Sequence, residues 1–214
     1  MTTHRTAAAM SRRTALAGLG AGGLGLALTA AFRPAAQGAA PVFSAATAPA
    51  GGRATASGSD HFALANDDAE AIWFLGTLAL IKGGGGQTGD ALATVEFLHP
   101  PGFGTVLHVH HTADEAFYVL AGAMQGVCGE QEWRGPTGSF VWLPRGIPHG
   151  YAVDGEETLR TLAIALPAGF DRFVVEGGEP ARERTLPPPA APDVEKLNAA
   201  AAKVGIEHLG PPEQ

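Results

Sequence analysis

The stretch from Gly102 to Gly122, GFGTVLHVHHTADEAFYVLAG, constrains this chain more than any other, because it sets three metal-ligand side chains on strand-like runs at fixed phase. Val106-Leu107-His108-Val109-His110 alternates as a β-strand does. Residues two apart on a strand point to one face, so His108 and His110 share a side. A turn over roughly His111 to Asp114 leads into Glu115-Ala116-Phe117-Tyr118-Val119-Leu120, which reads as a second strand lying beside the first. Glu115 is there in phase with Phe117 and Val119. Two imidazoles and a carboxylate gathered in an apolar interior are costly to bury unless something pairs with them, and a divalent cation satisfies all three. His111 and Asp114 are rival ligands. Strand parity turns His111 away from His110 and leaves Asp114 out of phase with Phe117, so both read as rim or turn residues.

A second stretch, Gly138 to His149, supplies a fourth ligand. Its β-rich GSFVWL meets a Pro/Gly-punctuated turn and then His149, the grammar of strand, turn, strand. Alone, either stretch has a plainer reading: a histidine in an apolar strand is usually structural, and GxxxxxPxG is only a turn. Together they carry a resemblance. Gly, five residues, HxH, four residues, Glu, six residues, Gly resembles the first cupin motif, matched by Gly102, His108, His110, Glu115 and Gly122. Gly, five residues, PxG, two residues, His resembles the second, matched by Gly138, Pro144, Gly146 and His149. One position departs: where the second motif usually continues to Asn, this chain has Val153, which touches turn geometry and pocket polarity but not the ligand set.

The resemblance covers roughly residues 60–175 and is closest to the quercetin-dioxygenase-like single-domain cupins. It implies an all-β double-stranded β-helix, the cupin jelly-roll barrel, with one divalent transition metal inside held by His108, His110, Glu115 and His149. Imidazole and carboxylate suit Fe, Mn, Ni, Co, Cu or Zn alike, so the donor set does not name the ion. The activity it implies is a dioxygenase acting on an enolic or polyphenolic, flavonol-like small molecule, with Glu115 both ligand and catalytic base. Phe97, Phe117, Phe140, Trp142 and Tyr151 are candidate apolar walls. The alternatives are a non-catalytic small-molecule or metal-binding cupin, and cupin isomerase or lyase chemistry in which the metal acts only as a Lewis acid. Cupins commonly dimerise through β-strands, and the apolar run from Ala71 to Ile81 is a candidate surface for a homodimer.

The rest of the chain fits around this. Residues 1–33 read as a signal peptide: Arg5, Arg12 and Arg13 precede an uncharged Ala/Gly/Leu run from Thr14 to Phe32. Ser11 to Leu16, SRRTAL, resembles the twin-arginine motif, with Ala15 where that family prefers Phe. The glycines of the run make it a weak membrane anchor, so the expectation is export to the periplasm or beyond with no stable anchor after processing. Residues 34–59, rich in Ala, Gly, Pro, Ser and Thr, read as a disordered linker or a propeptide. The cupin domain spans 60–175: Ala71 to Ile81 as one or two strands, the glycines at 83–86 as a hairpin loop, Ala91 to Leu98 as a strand ending at a structural His99, Ala123 to Arg134 as a hairpin, and strands over Tyr151 to Val153 and Thr158 to Leu166. Short helices follow, one carrying Phe170, Phe173 and Val174 at helical spacing. Residues 176–214 are a proline-rich tail with a last helix capped by Asp193 and ended by Gly205, expected to pack or face another subunit.

Net charge of -7, from 14 Lys and Arg against 21 Asp and Glu, and the absence of any basic cluster beyond the N-terminus exclude nucleic acid as a partner. The single cysteine, Cys128, rules out an intrachain disulfide and a zinc knuckle.

Overall fold

The computed structural model describes residues 61–210; the expected export segment at 1–33 and the linker at 34–59 lie outside them. Alternating apolar positions separated by Gly/Pro turns close into two antiparallel sheets that share one interior. In chain order the strands are β1 (Glu70–Phe74), β2 (Thr77–Gly83), β3 (Ala93–His99), β4 (Leu107–His110), β5 (Asp114–Ala121), β6 (Ala123–Cys128), β7 (Gln131–Pro136), β8 (Phe140–Leu143), β9 (His149–Val153), β10 (Leu159–Leu166), β11 (Glu179–Pro180) and β12 (Ile206–Gly210). Among the described residues three α-helices, α1 (Gly85–Thr88), α2 (Phe170–Gly177) and α3 (Val194–Lys203), and a 3-10 turn at Asn66–Asp68 accompany them. The larger sheet runs β11-β1-β2-β3-β10-β5-β8 and the smaller β12-β4-β9-β6-β7. No helix among the described residues is long and apolar enough to cross a membrane.

The apolar run at 71–81 resolves into the hairpin of β1 and β2, turned at Leu75 and Gly76, both with positive φ as a twisted two-residue hairpin requires. Neither strand is a free edge, since β1 is flanked by β11 and β2 by β3. β2 is buried on both faces, which is why it reads as continuous hydrophobics rather than alternation. Inside, Ile72, Phe74, Ala79, Ile81, Val95 and Phe97 join the main core. On the outer face Leu78 and Leu80 are covered by Ala69, Leu64 and Ala181.

The sequence expectation that strands 106–110 and 115–120 lie side by side is corrected. β4 pairs with β9 and β12, whereas β5 pairs with β10 and β8. The turn between β4 and β5 crosses from one sheet to the other, as a jelly roll demands, so Glu115 faces the histidines across the barrel. Gly122, which closes the first motif, sits at φ +77 with an added Cβ only 2.9 Å from the Thr158 carbonyl oxygen, so that turn admits only glycine.

The tail is part of the barrel. Asp193 caps α3 by accepting a hydrogen bond from the Lys196 amide, as read from sequence. After Gly205, however, the chain returns as β12 and pairs antiparallel with β4. That strand was not anticipated.

Candidate metal centre

β4 projects His108 and His110 inward with Val109 between them on the other face. β9 brings His149 directly opposite His108 in the antiparallel register, and β5 brings Glu115 from the facing sheet. One ligand atom from each of the four lies within 4.8 Å of every other. The imidazole centroids are 4.5 Å apart for His108 and His149, and 5.2 Å for His110 with either. All four side chains are buried.

The tautomers are set by the backbone. His108 Nδ1 donates to the Val106 carbonyl at 2.9 Å and His149 Nδ1 to that of Ile147 at 2.8 Å. In the neutral rings this leaves each Nε2 with a lone pair aimed into the cluster. His149 Nε2 and Glu115 Oε2 then face one another at 3.4 Å, both buried and without a hydrogen-bond partner. Two acceptors cannot satisfy one another, and the separation is long for a hydrogen bond. A cation between them removes the conflict, so the residues present fit a divalent metal.

The electrostatics agree. Burial pulls the His108 pKa down to about 4 against the opposing pull of Glu115, and burial likewise lowers His110, so both favour the neutral ligand form. For Glu115 burial pushes upward, but the surrounding imidazoles, His110 foremost, outweigh it and keep the carboxyl below its usual range. His149 runs the other way: burial lowers it, yet the adjacent Glu115 carboxylate raises it on balance. With no metal, a proton is drawn to the place a cation would fill.

A clamp holds the motif turns in place. Arg145, in the turn before β9, donates its backbone N–H to Asp114 Oδ1 at 2.9 Å and its guanidinium to Asp114 Oδ2 at 2.6 Å, while Gly146 N–H donates to the His110 carbonyl at 2.8 Å. Asp114 is therefore a rim residue, as read from sequence. His111 is too: its exposed ring pairs with Glu207 at 2.8 Å.

Next to the cluster opens a cavity of about 630 Å³ with His108, His110 and Glu115 in its wall and aromatic rings around it. Of the five aromatics proposed from sequence, Phe97 and Tyr151 line it. Phe117 is buried in the core without lining it, and Phe140 and Trp142 point outward, 61% and 49% exposed. These three are corrected: Phe140 and Trp142 lie out of phase with the inward-facing Leu143 and Val141 set, and parity alone could not say which phase was inward. The wall also takes Phe103, Phe170 and Phe173, and from the tail Leu197, Asn198 and His208. His99, expected to be structural, is buried against Thr161 Oγ1 at 3.3 Å and also borders the cavity.

A family model described as a cupin domain matches residues 95–165, a span that holds all four clustered side chains. Over those residues the chain is similar to cupin domains. No curated protein matches it in sequence. Similar solved structures include the polyketide cyclase RemF from Streptomyces resistomycificus, 24% identical over 50% of this chain and 80% of its own, TM-score 0.44. KdgF from Halomonas sp. is 20% identical over 50% of this chain and 95% of its own, TM-score 0.44. An RmlC-like cupin from Shewanella frigidimarina is 19% identical over 53% and 96%, TM-score 0.45. The matched cupin span contains the cluster but not the whole cavity, since the β1–β2 hairpin, α2, α3 and β12 lie outside it.

Proposed function

We propose that this cupin is a metal-dependent oxygenase of small aromatic molecules bearing an enolic or phenolic hydroxyl. The observation that supports it is the placement of a three-His, one-Glu cluster at the wall of an apolar cavity rimmed by Phe97, Phe103, Tyr151, Phe170 and Phe173. A cavity of that size and lining takes a ring system and leaves few polar groups to orient it. When bound, a divalent transition metal supplies Lewis acidity and, for an ion such as iron or manganese, access to one-electron chemistry.

The chain's own residues define the remainder. Glu115, held ionised by the imidazoles around it, takes the proton from the substrate hydroxyl, converting an enol or phenol to its electron-rich anion. Tyr151 keeps its phenolic proton, because burial and the Glu115 charge push its pKa well above the usual value, and so it serves as a donor at the cavity wall. The aromatic rings exclude water from the anion. Dioxygen is the oxidant and both of its atoms enter the product, so no separate reductant is required.

We also propose that the protein is exported folded by the twin-arginine route, which would let iron or manganese be loaded in the cytoplasm before copper or zinc is met. Support for this lies in the Ser11 to Leu16 sequence. The test of the activity is oxygen uptake by metal-loaded protein with a panel of flavonols and catechols. Uptake supports the oxygenase; turnover without oxygen points to isomerase or lyase chemistry, and tight binding without turnover to a binding module.

A further inference from the structure

His208 is brought to the cavity by the strand that the sequence did not announce. In the pairing of β12 with β4 it stands directly opposite His108, and Ile206 opposite His110. Directly paired residues on antiparallel strands project to the same face of a sheet. His108 faces the barrel interior, so His208 does as well, while Glu207 and Leu209 between and beyond turn to solvent. The His208 ring lies 6.4 Å from that of His108 and 6.2 Å from Phe173, centroid to centroid, and both it and Asn198 border the cavity.

Its tautomer is also set. Asn198, on α3, places Oδ1 2.7 Å from His208 Nδ1. An amide oxygen only accepts, so Nδ1 carries the proton and Nε2 keeps a lone pair. Among the described residues Nε2 has no hydrogen-bond partner. This ring is not among the four whose ligand atoms lie within 4.8 Å of one another.

We propose that His208, fixed by Asn198, is a substrate-anchoring residue whose Nε2 accepts a hydrogen bond from a second hydroxyl of the substrate, next to the oxygen presented to the His108, His110 and Glu115 wall. The inference rests on the reading of the cavity as an aromatic substrate site and narrows its class. The separation of the two imidazoles suits neighbouring oxygens on one ring system, since each ligand or hydrogen-bond contact occupies about 2–3 Å. The substrate is then an aromatic compound with two adjacent hydroxyls, a catechol, rather than a simple phenol.

The experiment is an absorbance titration of metal-loaded protein with 4-nitrocatechol and with its monomethyl ether 4-nitroguaiacol, which keeps one acidic hydroxyl and lacks the second. Wild type binds the catechol about tenfold more tightly, equivalent to roughly 1.4 kcal/mol. His208→Phe removes the acceptor and abolishes the preference at unchanged metal content; His208→Gln, which restores an acceptor oxygen, recovers most of it. If His208→Phe does not fold, Asn198→Leu carries the test, because the freed ring loses most of the preference. Full preference in His208→Phe, or in Asn198→Leu where that stands in for it, overturns the role of His208 and leaves the proposed function intact. Binding of neither probe by metal-loaded wild type overturns both.

Discussion

Glu115 Oε2 and His149 Nε2 approach to 3.4 Å from opposite sheets of the barrel, both buried and neither with a hydrogen-bond partner. Glu115 lies among the first, turn-proximal residues of β5 in the larger sheet and His149 begins β9 of the smaller, so whatever satisfies this pair also ties the two sheets together.

A bound metal should therefore act as a structural clasp as well as a cofactor. Purified protein is expected to carry about one divalent transition metal per chain. His108→Ala, His110→Ala and His149→Ala each lower occupancy strongly, whereas His111→Ala, whose ring is exposed beside Glu207, does not. Element analysis reads the occupancy. Chelation lowers Tm, because a ligand that binds only the folded state stabilises it by mass action. Full occupancy in the His110 variant would refute the centre.

Glu115→Gln separates ligation from proton transfer. The amide keeps shape and one oxygen donor but loses charge and basicity, so metal affinity weakens moderately while oxygen uptake falls by about 100-fold or more, the usual scale of a general base. Comparison is made at matched metal content with a flavonol or catechol that wild type turns over. Equal rates would remove Glu115 as the base.

Acid should weaken the fold through His99. Burial holds this ring neutral, with its pKa lowered to about 3 from an ordinary 6.5. Below pH 6.5 the unfolded chain takes up a proton that the native state refuses. Stability from this residue is therefore complete above 6.5 and declines as the pH falls toward 3, by up to about 1.4 kcal/mol per pH unit. Urea unfolding of wild type and His99→Gln at neutral pH and near pH 4.5 checks the sign: the gap in acid sensitivity should favour the variant. Parallel loss in both proteins would count against the assignment.

The Arg145–Asp114 clamp should position rather than stabilise. Water reaches both groups and screens the pair, so its loss should change stability little. Asp114 immediately precedes Glu115, and Arg145 lies in the turn that leads to His149. Asp114→Ala should therefore reduce metal affinity several-fold with a small change in Tm, measured by competition with a chelator. A large Tm drop with unaltered affinity would show the pair to be structural alone.

Replacing Arg12 and Arg13 together with Lys should abolish export while leaving the barrel and its metal unaffected, since the pair is a receptor-read address. Fractionation of cells expressing the variant tests this. Normal export would indicate another route.

Local pattern carried much of the site. The two-residue period places His108 with His110 and Glu115 with Phe117, and Asp193 and Gly205 bound α3 as capping chemistry requires. The motif spacing supplied His149. What it could not supply was which strands are neighbours, because pairing depends on contacts far apart in the chain: β4 and β5 are adjacent in sequence and yet belong to different sheets. Nor could it say which face of a strand is inside when both are apolar, so Phe140 and Trp142 looked equivalent to Phe97 and Tyr151. His208 is the sharpest case. Nothing in Ile206-Glu207-His208 distinguishes a short tail from a strand, and only its antiparallel register with β4, some hundred residues earlier, turns that imidazole toward the cavity. Ligand identity was written locally, in alternation and turns; the shape of the chamber those ligands serve was decided by long-range pairing, where burial of apolar faces across the two sheets selects one arrangement among many that the same local pattern would allow.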